Sequence, residues 1–210
     1  MLHILNTLER DITKKFVDSM NFGMENITNE YFLKVLYIND EERVYNNKSK
    51  LDFVEHGLEY NLKFEDKIFR FFEDIFKLNH GTMYVGNFNI DKIDNMKILY
   101  MLRDLDYKDS IKLINILRSH VRDEDVYKIN DFGVFKMFMS LCTREIHFTS
   151  FYFDKLDIMV FTHYDLSMLM FFKNENDINT YVQLAKINDL SLKDQELGFQ
   201  NKPLIEVVNN

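Results

Sequence analysis

Apolar residues recur at steps of three and four near the start of the chain. Leu5, Leu8, Ile12, Phe16 and Met20 fall on one side of a helix over residues 2–20. Gly23 is a natural stop, and Thr28 opens the next segment. From Tyr31 to Ile38 the run is nearly all apolar, which suits a buried strand and a helix equally. Residues 39–50 are polar and hold Asn46-Asn47-Lys48-Ser49, the clearest loop of the first half. Leu58, Tyr60, Leu62 and Phe64 alternate, as one face of a strand does. A helix over 65–78 follows, with Ile68, Phe71, Phe72, Ile75 and Phe76 on one side. His80-Gly81 ends it, Gly81 being suited to a left-handed cap.

Met83 to Phe88 reads as a short strand, and residues 91–142 as helical. Ile93, Met96, Tyr100 and Met101 mark one helix there. Asp106 can cap the next, whose stripe is Ile111, Ile114, Leu117 and Val121. Asp123-Glu124-Asp125 is an acidic turn, and Phe132, Phe135, Phe138, Met139 and Cys142 mark a third helix. Strands follow at 145–153, 156–163 and 167–172, reversing at Asp154-Lys155 and Tyr164-Asp165. Their apolar residues occupy both alternating faces, so the sheet needs cover on two sides, or on one side plus a partner. A helix over 175–188 can supply part of it, with Asn174 or Asn176 as cap and Ile178, Tyr181, Val182 and Ala185 as its stripe. Residues 190–210 have no clear period and form an extended or flexible tail.

The expected architecture is α/β in the α+β sense. A helical first two-thirds packs with a small, mainly antiparallel sheet near 145–172, covered by the helix at 175–188. No Pro-, Gly- or Ser-rich linker interrupts residues 1–189, which read as one unit with a soft division near 143. The size agrees, since 210 residues suffice for one domain with its own core.

Charge narrows the partners. Lys plus Arg is 26 against 34 for Asp plus Glu, a net charge of −8, and no cationic run exceeds Lys14-Lys15. Phosphate binding rests on a basic footprint, so nucleic acid is not expected as a partner. The acidity suits a soluble protein, or a partner with a basic groove. No basic segment precedes an apolar one at the N-terminus, and no apolar run of about 18 residues could span a membrane. Cys142 is the only cysteine and lies in Phe138-Met139-Ser140-Leu141-Cys142, where an inert buried thiol is expected. The expected compartment is the reducing cytoplasm. Ala185 and Pro203 are each the only residue of their kind, tryptophan is absent, and Asn, Ile, Lys, Phe and Tyr abound. That bias follows AT-rich codons, as in a low-GC bacterium, its phage or a large DNA virus.

Several motifs carry candidate chemistry. Asp131-Phe132-Gly133 resembles the metal-binding segment of protein kinases, and Arg122-Asp123 their catalytic loop. The gap between Asp123 and Asp131 is too short for that machinery, and no glycine-rich phosphate loop is present. Asp131 is then a helix cap before Phe132. His147-Phe148-Thr149 has the His-x-Thr form used by two-histidine phosphoesterases, with His163-Tyr164-Asp165 as the nearest second element. If the two strands pair as a hairpin, His147 and His163 fall near one end of it. His147, Thr149, His163 and Asp165 are therefore candidates for acid–base cleavage of a phosphodiester. Glu65-Asp66-Lys67 after an apparent strand has the Glu-x-Lys spacing of a metal-dependent nuclease. Asp52 serves as its upstream carboxylate, so Asp52, Glu65 and Lys67 are metal-site candidates. No Cys-x-x-Cys, P-loop, Gly-x-Ser-x-Gly or paired-histidine spacing occurs, so no cofactor is expected.

Aromatic residues make up 15% of the chain, more than one core stripe per helix would use. Phe69, Phe72 and Phe76, with Met168, Met170 and Phe172, form a candidate interaction surface, since aromatics and methionine are enriched at interfaces. The reading that follows is a non-catalytic, cytoplasmic protein-binding module. A phage or viral inhibitor of a host protein, or a bacterial immunity protein, would fit it. The alternatives are a phosphodiesterase- or nuclease-like enzyme using His147 and His163, and a self-assembling homo-oligomer.

Overall fold

A computed structural model describes residues 2–3, 34–39, 52–86, 88–119, 126–163 and 168–194. The longest element is α1, Asp52–Leu78. Phe64, Ile68, Phe71, Phe72 and Ile75 lie at helical spacing along it, and all are fully buried. Residues 58–64 are not a strand. The alternation at 58–64 is part of this helix, and Leu62, on the supposed inner face, is exposed. Nothing in that stretch breaks a helix, so the long amphipathic pattern prevails over a four-residue alternation.

The remaining helices are α2, Asn95–Asp104; α3, Tyr107–Ser119; α4, Phe132–Thr143; and α5, Ile178–Ile187. Asp131 caps α4 by accepting the Gly133 N–H at 2.8 Å, which settles the Asp-Phe-Gly motif as a helix start. Helices α1, α4 and α5 end alike. Each chain reversal puts a non-glycine residue in the left-handed region, His80, Glu145 and Asp189, all at φ 57°. The following N–H then bonds back five residues: Gly81 to Phe76, Ile146 to Leu141, and Leu190 to Ala185. Gly81 is also left-handed, at φ 68°, but His80 holds the cap position.

The strands are β1, Leu2–His3; β2, Lys34–Asn39; β3, Met83–Gly86; β4, Val126–Ile129; β5, Ser150–Phe153; β6, Ile158–Thr162; β7, Met168–Phe172; and β8, Ser191–Asp194. They form one antiparallel sheet in the order β1-β4-β3-β5-β6-β7-β2-β8. The protein is therefore α+β as expected, but the sheet is larger than expected. Residues 2–3 are strand rather than helix start, 34–39 resolve to strand, and β4 interrupts the stretch read as helical. The tail begins as an edge strand. The helix read over 2–20 otherwise falls outside the described residues, as do the loop from residue 40, the acidic turn at 123–125, Tyr164-Asp165 and residues 195–210. Pairing of β3 with β5 carries the sheet across residue 143.

Residues opposite one another in the sheet share a face. One row runs Tyr127, Val85, Phe151, Val160, Met170, Leu36 across six strands. It packs under the helices: Phe72 of α1 stacks on Phe153, Phe135 of α4 meets Phe151 edge-on at 5.0 Å, and Tyr181 of α5 meets Phe172 at 5.3 Å. The neighbouring row, Tyr84, Tyr152, Met159 and Phe171, points to the other face and is also buried, outside the cluster the helices build. Both faces of the sheet are thus apolar, as the alternation implied. Further out, α3 packs on α4 and α2 on α3, which leaves α2 at the periphery.

Candidate functional site

The site begins with the way α2 is held. Asp94 is extended and turns Oδ1 to the Lys97 N–H at 2.8 Å, which starts the helix. Leu105 is extended and ends it. Asp106 then caps α3 by accepting the Asp109 N–H at 2.8 Å, and that bond holds its carboxyl below the usual carboxylate range. The Ser110 hydroxyl donates to the Leu102 carbonyl and ties the two helices together. Inward, α2 sends Met101 into the core, with Leu105 just beyond its end.

The other side of α2 is also apolar, and it faces solvent. Met96 and Leu99 are each 58% exposed and Tyr100 is 48% exposed, at the i, i+3, i+4 spacing of a single stripe. Arg103 extends that stripe by one turn. Its guanidinium lies 5.0 Å above the Tyr100 ring and makes two 2.7 Å bonds to the Asp104 carboxylate. This pair holds the Asp104 carboxyl below its ordinary range. An open groove of about 510 Å³ runs beside the stripe, with Met96, Lys97 and Tyr100 among its lining and Arg144, Glu145 and Ile146 completing it.

Arg144 is fixed from below. Its Nε and Nη2 donate to the two Glu65 carboxylate oxygens at 3.1 and 2.8 Å, and Nη1 donates to the Asp104 carbonyl. The Thr143 hydroxyl adds a 2.6 Å bond to Glu65. Burial opposes the Arg144 charge, but Glu65 outweighs it and keeps the guanidinium more firmly protonated than usual. One buried carboxylate thereby joins α1, the end of α4 and the end of α2. Both arginines of the groove are hydrogen-bonded within the protein. The arrangement is an open groove beside an exposed apolar ridge.

The sequence candidates fall elsewhere. Phe69, Phe72, Phe76, Met168, Met170 and Phe172 are no interaction surface. None is more than 7% exposed, because they fill the layer between helices and sheet. Met96, Leu99 and Tyr100 are among the large apolar side chains that are exposed instead. Met96 and Tyr100 read as an inward stripe in sequence. The available signal was that Ile98, Leu99, Tyr100, Met101 and Leu102 surround α2, which is more than one buried face can use.

The two histidines do not converge. His147 is buried with its ring edge-on to Phe88 at 5.4 Å. His163 is exposed and stacks on Phe148 at 6.2 Å. Thr149 turns its hydroxyl toward α4, 3.2 Å from the Cys142 sulfur. Phe148, its neighbour, stacks with His163 instead. Asp165 lies outside the described residues. The Cys142 thiol is buried, which pushes its ionisation up and makes it a poor nucleophile.

Glu65 and Lys67 lie within a helix, not after a strand, and Glu65 is committed to Arg144 and Thr143. Asp52 opens the same helix thirteen residues earlier, only its backbone being described. Among the described residues, no group of three His, Cys, Asp or Glu side chains could hold a metal ion. No described helix is long and apolar enough to cross a membrane. Compared with known proteins, the chain matches no family model, no curated protein and no solved structure.

Proposed function

We propose that this chain is a non-catalytic protein-binding module whose contact surface is the outward stripe of α2 and the groove beside it. The observation that carries the reading is the exposure of Met96, Leu99 and Tyr100 in one row on a helix whose other side is already buried. An apolar row at i, i+3, i+4 is the pattern by which a helix seats in the groove of another protein. Arg103, pinned over Tyr100, holds the aromatic ring in place and lowers the entropy lost on binding. A free, buried Cys142 suits a cytoplasmic setting, and inhibition of a host protein is one form such binding could take.

The test is capture from lysate of an AT-rich host with three baits: the natural chain, Leu99→Glu/Tyr100→Glu, and a control with Gln183→Glu on α5. One partner near stoichiometry, kept by the control and lost by the α2 variant, supports the proposal. No specific partner, or a partner held equally by all three baits, overturns it.

A further inference from the structure

Tyr84, Tyr152, Met159, Leu169 and Phe171 lie on the face of the sheet turned away from α1, α4 and α5, and each is at most 8% exposed. The ring contacts of those helices with the sheet, Phe72 to Phe153, Phe135 to Phe151 and Tyr181 to Phe172, all fall on the first face. An apolar sheet face leaves water only when a second layer covers it.

The order of the strands restricts which part of the chain can supply that layer. Six antiparallel pairings separate β1 from β2, so these two strands run parallel. Residues 4–33 join them and must cross six strand spacings, about 29 Å. Three other connections also join parallel strands: β4 to β5 through α4, β7 to β8 through α5, and β2 to β3 through α1. All three helices lie on the first face. The first two connections leave strands of one direction and move toward the β8 edge. The third leaves a strand of the opposite direction and moves toward the β1 edge, and reversing both preserves the hand. The three therefore share one hand, and such crossovers are right-handed almost without exception. The step from β1 to β2 reverses only the strand direction, since it too moves toward the β8 edge. It keeps the same hand only by crossing the other face.

We infer that residues 4–33 cross the second face of the sheet and cover it, with the stripe Leu5, Leu8, Ile12, Phe16 and Met20 turned to the strands. The sixteen residues from Leu5 to Met20 make about 24 Å of helix, which leaves enough chain to complete the crossing. The other segments outside the described residues fit less well. Residues 40–51 are largely polar, 120–125 and 164–167 are too short to cover several strands, and 195–210 have no apolar period. Covered in this way, the second face is closed to another protein and to a second copy of the chain, and partner binding is left to surfaces such as the α2 stripe.

The experiment uses two thiols in the full chain. Cys142 is buried on the helix side, and Met159→Cys places a thiol on the second face. Maleimide labelling of each is followed by peptide mapping. Both should be slow in the Met159→Cys chain. Adding Leu8→Asp/Ile12→Asp should speed labelling of the Met159→Cys thiol at least about 10-fold and leave Cys142 protected. Adding Thr7→Asp/Lys14→Asp, on the opposite side of the same helical pattern, should change neither. Fast labelling of the Met159→Cys thiol before any further change, or indifference to Leu8→Asp/Ile12→Asp, would overturn the inference. Should Leu8→Asp/Ile12→Asp expose both thiols by unfolding the chain, cross-linking decides. Phe161→Cys, on the second face, is combined in turn with Leu8→Cys, Ile12→Cys and Phe16→Cys and treated with a short bis-maleimide. A link within one chain for at least one pair supports the inference. No link, or links only between copies, overturns it.

Discussion

Helices α1 and α2 are both apolar on more than one side, yet they meet opposite fates. Around α1, the sheet covers Phe72, while α4 and α5 pack alongside, so even Phe69 and Phe76 are lost from solvent. Around α2 the layers run out. Among the described elements α3 is its main neighbour, and the second apolar side stays wet. The amount of apolar surface on a helix therefore does not say whether it is core or contact. The number of layers around it does.

The largest expected effect separates the two helices directly. Phe72→Ala should cost about 3–5 kcal/mol in urea unfolding, by the loss of a fully buried ring at the meeting of α1, α4 and β5. Leu99→Ala should change stability by no more than about 0.5 kcal/mol, because its side chain is mostly in water already. Equal costs would break the comparison.

The second prediction concerns the link between the two helices. Glu65→Leu strands the half-buried Arg144 guanidinium and should cost about 2–4 kcal/mol, while Glu65→Leu/Arg144→Met should recover a good part of it. A double variant no better than the single would show that the carboxylate acts through Thr143 or through packing alone. In the variants, hydrogen exchange should rise at the end of α2, since Arg144 also holds the Asp104 carbonyl.

Smaller effects sharpen the picture at the α2–α3 link. Removing the cap with Asp106→Ala should cost about 1 kcal/mol. The folded-state ionisation of Asp104 and Asp106 lies below the unfolded one. Their contribution is therefore full above the ordinary carboxylate range, near pH 4, and is lost as the pH falls through their folded values. The urea midpoint of the natural chain should drop faster than that of Asp104→Asn/Asp106→Asn between about pH 5 and pH 2. Parallel curves would show that these carboxylates do not stabilise the link.

The smallest expected effect is a gain. Asp189 holds a left-handed cap at the end of α5, and Asp189→Gly should raise stability by up to about 1 kcal/mol in a thermal scan. A loss would mean that the aspartate side chain contributes more than its backbone strain costs.

The features legible in the sequence are those that depend on near neighbours. The stripe from Ile68 to Phe76 announced a helix, Asp106 and Asp131 announced caps, and the Phe- and Met-rich runs of β5 to β7 announced a two-faced antiparallel sheet. Each rests on a spacing of two to four residues, which a local pattern records. The tertiary structure decided what depends on distant partners. A four-residue strand such as β4 is too short to carry its own period, and it becomes strand because β3 and β1 flank it. Glu65 looked like a nuclease carboxylate and is instead paired with a residue 79 positions away. His147 and His163 were expected to converge, but His147 is buried against Phe88 while His163 is exposed and stacks on Phe148. The candidate site is of the same kind. The sequence supplied α2 with two apolar sides, and only the order of the layers determined which side meets water, because burial is a property of the whole packing and not of the residue.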